Sequence, residues 1–493
     1  MLRQGGNAVD AAVATAMAMT VLEPTSNGIG SDAFALVWAG GGLHGLNASG
    51  RSPAALDVDA YRGKSEIERI GWSGVTTPGA VSAWVSLADR FGALPLTTLA
   101  EPAIQYAREG FLVARQTAYY WARGERAYAD MESWQQTFTR NGKAPAAGEQ
   151  FSSDDHALTL ASIGASNGDS FYNGHLAKSI GDHASKTGGA LSAGDLAAHE
   201  AEWVRPISMD YRGVTLHEIP PNGQGIVALI ALGILANHPL GDLPVDSADS
   251  LHLQIEAMKL AFRDGHRYVA DPAWMDVSVD DLLDEAYLAD RAKQIDMTRA
   301  TDPGHGTPKS GGTIYLAAAD EFGTMVSYIQ SNYTGFGSGL VVPGTGIALQ
   351  NRGVCFSTEE GHPNQVAPGK RPYHTIIPGF VTKGDEPLMS FGVMGGFMQP
   401  QGHVQVVTRL ADYDQNPQAA LDAPRWQIFE GLRVGIEAGY DPGVYDELKR
   451  RGHDVRLVAE KTVSYGGGQA IHCLDNGYFG ASDMRRDGQA VGF

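Results

Sequence analysis

Apolar residues recur every three or four positions through the first part of the chain, a pattern typical of buried or amphipathic helices. Helices are expected over residues 6–22, 78–91, 98–110, 193–200, 224–237 and 247–270. Two short apolar runs, residues 33–38 and 214–219, are expected to be strands. After residue 313 the pattern changes to strands and glycine turns, with helices again near residues 400–412 and 442–451. The chain therefore predicts a mixture of helices and sheet.

The junction between Gly312 and Thr313 marks that change. Residues 307–312 are polar and rich in Gly and Pro, whereas residues 313–320 indicate a buried strand that pairs with residues 324–331 in a hairpin. Most Gly-Gly-Thr sequences are ordinary loop-to-strand turns. A threonine that begins a strand is also what a self-cleaving hydrolase needs. Cutting the bond before Thr313 would leave an α-amine, which titrates near pH ~8, beside the threonine hydroxyl.

Composition restricts the classes of partner. The 493 residues carry a formal net charge of -19, which disfavours nucleic acid or an anionic membrane as a partner. Two cysteines, Cys355 and Cys473, cannot build a disulfide framework or a cysteine-rich zinc site. The histidines do not occur at a metal-binding spacing, so no metal is expected. The glycine-containing segment GIGSDA at residues 28–33 follows a predicted helix and precedes a predicted strand. A dinucleotide-binding motif has the opposite order, strand before helix, so no cofactor is expected.

The start of the chain carries no basic segment followed by an apolar one, which favours a cytoplasmic location. Residues 1–4 pass directly into the first predicted helix, which suggests a downstream start codon or a truncated N-terminus. The apolar run at residues 11–22 is too short to span a bilayer and is expected to be a buried helix.

Several motifs in one order resemble the γ-glutamyltransferase family of N-terminal nucleophile hydrolases. They are GGNAVDAA at residues 5–12, EPTSNGIG at 23–30, PPNGQG at 220–225, EAMK at 256–259, GGQAI at 467–471 and GASDMRR at 480–486. The resemblance implies an α+β fold, a four-layer αββα sandwich. It also implies a proenzyme in which a large segment, residues 1–312, and a small segment, residues 313–493, share one core and remain partners after cleavage.

The resemblance also implies a catalytic set. Thr313 would be the nucleophile, released by cleavage of the Gly312–Thr313 bond, and Ser331 would supply the hydroxyl that hydrogen-bonds it. Gly395 and Gly396 match the oxyanion-hole glycines, whose backbone N–H groups are open to an alkoxide because no Cβ blocks the approach.

The substrate pocket departs from the family pattern. Where true γ-glutamyltransferases hold the glutamyl α-amine with an acidic residue, this chain has Cys355, and a neutral thiol cannot pair with an ammonium. Tyr333 replaces a small polar side chain. The family's serine pair after Arg-Pro is replaced by Tyr373, His374 and Thr375. The glutamyl clamp is therefore not preserved.

Arginines near the expected pocket are candidate anion partners. The arginine that clamps the α-carboxylate in the family is displaced here, because Ser49 takes its position and Arg51 follows two residues later. Arg352 is a second candidate, since a guanidinium presents a planar fork that suits a carboxylate. For each, a structural ion pair with an acidic neighbour is the alternative.

These features favour the divergent branch of the family, which includes oxamate amidohydrolase-like and acylase-like members. The leading hypothesis is an autoprocessed amidohydrolase or acyltransferase that acts on a small, anionic amide. One alternative is a true γ-glutamyltransferase and glutathione hydrolase whose clamp is rebuilt from Arg51, Arg352 and His374. Another is a non-catalytic homologue that is never cleaved. The expected partners are the small-molecule amide and the two fragments themselves.

Overall fold

The computed structural model describes residues 1–302, 312–459 and 462–493, so residues 307–311 of the polar stretch before Thr313 lie outside the described residues. The chain forms two compact units. The first consists of Met1–Val204 and Gly311–Ile376, the second of Arg205–Ser310 and Ile377–Phe493. Each unit therefore combines sequence from both sides of the predicted cleavage site. The division into segments 1–312 and 313–493 that share one core stays a prediction.

The first unit contains a five-stranded antiparallel sheet with the hairpin expected around Thr313. Its strands lie in the order Glu202–Val204, Gly42–Ala48, Asp32–Ala39, Met325–Tyr333 and Gly312–Ala319. Short pairs are formed by Phe111–Leu112 with Gln150–Phe151 and by Val341–Val342 with Ile347–Ala348. Every residue of Met325–Tyr333 is buried. The strand is paired along both edges, and helix Ala8–Leu22 packs on it.

In the first unit, helices Ala8–Leu22 and Ala80–Phe91 pack on this sheet, and other helices pack on them or on one another. The helices of this unit are Ala8–Leu22, Ala80–Phe91, Leu96–Glu109, Arg115–Ala127, Glu132–Phe138, Asp154–Ala165, Asp169–Tyr172, His175–Thr187 and Ala193–Ala197. Asn7 caps the N-terminus of helix Ala8–Leu22 in a capping box. Its side chain accepts from the backbone N–H groups of Val9 and Asp10, and the Asp10 carboxylate accepts from the Asn7 N–H. As expected, this apolar segment is a buried helix.

The second unit contains a six-stranded antiparallel sheet and a three-stranded one. The larger sheet has the order Gly477–Ser482, Gly467–Leu474, Glu386–Met394, Gly379–Lys383, Val214–Glu218 and Ile207–Tyr211. The smaller has the order Trp426–Glu430, Arg433–Glu437 and Asp454–Val458, the last two being parallel.

The helices of the second unit are Gly225–Leu235, Ala248–Tyr268, Val279–Leu282, Glu285–Ala292, Met398–Ala411, Pro417–Asp422 and Pro442–Arg450. All residues of Gly225–Leu235 are buried, as its apolar composition on every face requires. In the part of the chain that the structure describes, no helix combines the length and apolar character needed to cross a membrane.

Candidate active site

Thr313 lies at an irregularity in the hairpin. The pairing register shifts between Gly312 and Ile314, so Thr313 occupies a bulge at the start of its strand. Bulges re-aim a side chain relative to the regular pleat. The Thr313 side chain is buried, and its Oγ1 lies 3.1 Å from Ser331 Oγ, a hydrogen-bond distance. The two hydroxyls expected from the sequence therefore meet.

Ser331 Oγ is also the acceptor for two donors. The backbone N–H of Tyr333 donates to it over 2.8 Å, and Arg352 Nη2 donates over 3.2 Å. Tyr333 has a positive φ of 76°, which is uncommon for a side chain other than glycine and turns the chain just after Ser331. The Ser331 hydroxyl thus links Thr313 to the Arg352 guanidinium through one oxygen atom.

Arg352 is a fully buried cation at the start of the short 3-10 helix Arg352–Cys355. Its Nη1 donates to Thr375 Oγ1 over 2.5 Å and lies 4.0 Å from Cys355 Sγ. Its guanidinium carbon is 4.6 Å from the centroid of the Tyr333 ring, a cation–π distance. Its Nε has no hydrogen-bond partner, and among the described residues no carboxylate reaches ion-pair distance of the guanidinium. The positive charge is therefore placed to receive an anion.

A buried carboxyl and an imidazole complete the group. Asp32 Oδ1 accepts from the backbone N–H groups of Gly50 at 3.2 Å and Gly79 at 3.1 Å, and Oδ2 lies 3.1 Å from His374 Nε2. Burial raises the pKa of Asp32 to about 7, although the Arg352 charge and the two N–H donors oppose the shift. Burial, followed by the Arg352 charge, holds the pKa of His374 well below its usual range. His374 is therefore neutral and cannot act as a cationic clamp.

Cys355 remains a neutral thiol in this setting. Burial raises its pKa, while Arg352 and a hydrogen bond from Tyr333 act in the opposite direction. Within the described residues, neither Cys355 nor Cys473 forms a disulfide. A thiol that keeps its proton supplies no negative charge beside Arg352, as expected from the sequence.

Arg51 is placed differently from Arg352. Its side chain is 44% exposed, with Nη2 3.7 Å from Glu202 Oε1 and Nη1 donating to the Gly369 carbonyl over 3.2 Å. The same Glu202 oxygen forms a closer pair, 2.8 Å, with the buried Arg371. Arg51 is thus held in a surface ion pair, the alternative considered for it above.

Gly395 and Gly396 lie in the second unit, between strand Glu386–Met394 and helix Met398–Ala411. Their φ angles are 138° and 62°, in the region that favours glycine. Gln224 Nε2 donates to the Gly396 carbonyl over 2.9 Å, which fixes the turn. Their role as oxyanion-hole donors stays a prediction.

The sequence did not predict the buried Asp32 or a cluster of three buried polar residues in the second unit. Asp32 is a single acid at the edge of an apolar run, and only the fold shows that it is buried. His252, Glu256 and His453 bring three possible metal-ligand atoms within 4.8 Å of one another. The four-residue spacing of His252 and Glu256 on one helix was a visible signal, but His453 is distant in sequence.

The whole chain, residues 1–493, matches the family model described as gamma-glutamyltranspeptidase. The chain belongs to that family. It is 37% identical over 503 residues to the glutathione hydrolase-like YwrD proenzyme of Bacillus subtilis (strain 168), covering 100% of this chain and 95% of the relative. It is 35% identical over 510 residues to the oxamate amidohydrolase proenzyme of Klebsiella pneumoniae subsp. pneumoniae, with the same two coverages of 100% and 95%.

A solved structure of an acylase is also similar. The cephalosporin acylase from Bacillus halodurans superposes with a TM-score of 0.94 at 51% identity, covering 99% of this chain and 92% of that one. These similarities confirm the predicted α+β fold of N-terminal nucleophile hydrolases and the resemblance to the divergent branch. They also confirm that the protein is an amidohydrolase or acyltransferase of this family.

Proposed function

We propose that this γ-glutamyltranspeptidase-family enzyme matures by cutting itself before Thr313 and then hydrolyses a small amide that carries a carboxylate. In maturation, Thr313 Oγ attacks the Gly312 carbonyl carbon and the peptide C–N bond breaks, which leaves an ester and a free α-amine. Water then hydrolyses the ester, so Gly312 becomes a carboxylate and Thr313 regains its hydroxyl.

In the mature enzyme the α-amine of Thr313 takes the hydroxyl proton as Oγ attacks the substrate amide. Backbone N–H groups of Gly395 and Gly396 would stabilise the oxyanion. Losing one such donor typically raises the activation free energy by about 3 kcal/mol. The C–N bond breaks, the amine leaves with the proton, and water or an acceptor amine removes the acyl group from Thr313.

One observation carries the substrate class. Arg352 is a buried guanidinium without a carboxylate partner among the described residues, and it shares the Ser331 hydroxyl with Thr313. Burying an unpaired charge is costly, and a substrate carboxylate would compensate it with charge-assisted hydrogen bonds. The neutral Cys355 thiol offers nothing to an ammonium, so a substrate without an α-amine is favoured. The similarity to an oxamate amidohydrolase supports the same class.

The cytoplasmic location, like the exclusion of membrane and nucleic-acid partners, stays a prediction from the sequence. Self-cleavage into two fragments and a small-molecule substrate agree with relatives that are named as proenzymes.

Self-cleavage is tested with Thr313→Ala, which we expect to remain one polypeptide and to be inactive. Thr313→Ser is the matched control, since it keeps a hydroxyl and should still be cut, although more slowly. A denaturing gel separates the outcomes, because the cut yields pieces of 312 and 181 residues. Cleavage of Thr313→Ala at the same bond would show that the mechanism is not intramolecular attack by this hydroxyl.

The substrate class is tested by turnover of the processed enzyme on γ-glutamyl, oxamate-like and N-acyl amino acid amides. We expect kcat/KM to be highest for an amide that bears a carboxylate and lacks an α-amine. Glutathione hydrolysis at a rate comparable to the best anionic amide would instead establish a true γ-glutamyltransferase.

A further inference from the structure

The turn at Gly395 and Gly396 orients two backbone N–H groups through the carbonyls of the same peptides. In a trans peptide the C=O and the N–H point in opposite directions, so a contact that holds the carbonyl also sets the direction of the N–H. The Gly396 N–H shares its peptide with the Gly395 carbonyl, which accepts from the Met398 N–H over 3.1 Å. The Gly395 N–H shares its peptide with the Met394 carbonyl. The contacts of that carbonyl therefore determine where the Gly395 N–H points.

Gly466 packs against the Met394 carbonyl. Met394 pairs with Gly467 at the end of one ladder of the six-stranded sheet, and Gly466 directly precedes that pair. A β-carbon built on Gly466 would lie 2.8 Å from the Met394 carbonyl oxygen and 2.7 Å from Val393 Cγ1, closer than side chains approach such atoms. A β-carbon built on Gly395 would lie 3.2 Å from Gly466 Cα. The backbone at Gly466 thus lies directly against the turn, with no room for a methyl group between them.

The backbone of Gly466 is itself held on both sides of the peptide that precedes it. The Gly466 N–H donates to the Val463 carbonyl over 3.1 Å, and Arg425 Nη1 donates to the Tyr465 carbonyl over 2.9 Å. Gly466 has a φ of 83°, in the region that favours glycine. This peptide cannot rotate away from the Met394 carbonyl without losing a hydrogen bond.

A buried ion pair holds Arg425 in turn. Its Nη2 donates to Asp483 Oδ2 over 2.6 Å, and the same oxygen accepts from the Gly468 N–H over 2.9 Å. The two side chains are 2% and 0% exposed, and such a pair is retained only where its geometry offsets the cost of desolvation. The pair therefore binds the chain on both sides of Gly466, at Tyr465 and at Gly468.

We infer that Gly466 is a positioning residue for the oxyanion hole, and that the Arg425–Asp483 ion pair holds it in place. A methyl group at residue 466 would press on the Met394 carbonyl and rotate its peptide, which turns the Gly395 N–H away from the oxyanion. The inference rests on the function proposed above, in which that N–H stabilises the charge on the substrate oxygen. Because the bound substrate does not yet carry this charge, misalignment lowers kcat much more than it raises KM.

Gly466→Ala tests the inference, and Gly213→Ala is its matched control. Gly213 has a φ of 82° and lies in the turn between two strands of the same six-stranded sheet, so both variants carry the same backbone strain. Among the described residues outside its chain neighbours, no atom lies within 4 Å of a β-carbon built on Gly213. Steady-state rates on the best anionic amide are expressed per processed molecule, counted from the smaller fragment on a denaturing gel.

We expect Gly466→Ala to lower kcat on the order of 100-fold, as when one oxyanion donor is lost, and to leave KM within about threefold of the wild-type value. Gly213→Ala should keep the wild-type kcat and KM. Arg425→Lys disturbs the same peptide without adding a methyl group, because an ammonium lacks the fork that binds Tyr465 and Asp483 together. It should lower kcat about tenfold, again with little change in KM.

Urea unfolding establishes that each variant is folded under the assay conditions, and Arg425→Lys decides the question if Gly466→Ala yields no folded, processed enzyme. The inference is wrong if Gly466→Ala and Gly213→Ala have the same kcat, or if KM rises as much as kcat falls. The wild type separates this inference from the proposed function. If the processed wild type hydrolyses none of the amides, the proposed function fails. If it is active and both Gly466→Ala and Arg425→Lys keep its kcat, only the positioning role fails.

Discussion

The hydroxyl oxygens of Thr313 and Ser331 lie 3.1 Å apart across the hairpin that begins at the predicted cleavage site. Ser331 is itself held by the Tyr333 N–H and by Arg352, so its oxygen has a fixed position. Because the Ser331 oxygen is already held in place, it can orient the Thr313 hydroxyl without having to be ordered itself in each turnover. This pair therefore predicts a kinetic role for Ser331.

Ser331→Ala in the processed enzyme should lower kcat by about 100-fold, because the oriented hydroxyl beside Thr313 is lost. Ser331→Thr keeps that hydroxyl and should retain most of the rate. Steady-state kinetics on the best anionic amide measure both. Ser327→Ala is the control, because Ser327 is equally buried on the same strand but bonds Tyr315. An equal loss in Ser327→Ala would mean that strand packing, not the hydroxyl, is responsible.

The hairpin itself could be predicted from the sequence. Two apolar runs separated by a turn predicted strands over residues 313–320 and 324–331, and the structure has Gly312–Ala319 and Met325–Tyr333. The bulge at Thr313 could not be predicted, because it depends on how the two strands pair, and alternation along one strand does not specify pairing. The helix Arg115–Ala127 was not predicted either, because its sequence is mostly polar and is held by a few buried residues such as Trp121.

The site was only partly predictable for a similar reason. Resemblance to the family named Thr313 and Ser331 as members of the site, and Arg352 was a candidate anion partner because of its guanidinium. The contacts among these residues could not be predicted, because they join positions that are distant in sequence. Asp32 was missed because a single carboxyl at a strand end usually faces water, and its burial is a property of the assembled sheet.

Arg352→Ala should raise KM for a carboxylate-bearing amide by about 10- to 100-fold and change KM for an uncharged analogue much less, since only the anion loses its charged partner. Arg352→Lys should fall between, because an ammonium lacks the planar fork. Arg51→Ala is the control: Arg51 lies in a half-exposed ion pair, and such pairs contribute little. If Arg352→Ala raised KM equally for the charged and the uncharged substrate, Arg352 would not be the binding partner of the substrate carboxylate.

A carboxylate introduced at Cys355 provides the reciprocal test of the same site. The Cys355 sulfur lies 4.0 Å from Arg352 Nη1, so Cys355→Asp would give the guanidinium an internal partner. We expect weaker binding of the anionic amide and a shift of preference toward γ-glutamyl compounds, whose ammonium would meet a negative charge. Competition between the two substrates in one assay measures the shift. Unchanged preference would show that Cys355 does not contact the bound substrate.

No histidine should serve as the general base. Activity should rise with pH through an apparent pKa near ~7–8, the range of an α-amine. His374 is neutral and already bonded, with Nε2 facing Asp32 and Nδ1 accepting from the Ile376 N–H at 3.4 Å. His374→Ala should keep measurable turnover, and its kcat should rise with pH through the same apparent pKa as that of the wild type. Complete loss of activity with self-cleavage intact would assign the base to His374.

The last prediction concerns Asp32, whose pKa burial raises from 3.8 to about 7. Between these values the folded protein binds a proton that the unfolded chain has released, so the free energy of unfolding must fall as pH rises. The contribution of Asp32 is fully present below about pH 4 and is lost as pH passes through about 7, with a slope of at most about 1.4 kcal/mol per pH unit.

Asp32→Asn tests this prediction, because an asparagine side chain cannot titrate. Urea unfolding of both proteins from pH 4 to pH 8 should therefore show a stability difference that moves in favour of Asp32→Asn with rising pH. If the free energies of unfolding of the two proteins changed in parallel with pH, the raised pKa of Asp32 would be wrong. The cost of placing an amide opposite His374 does not depend on pH, so it would not hide this difference.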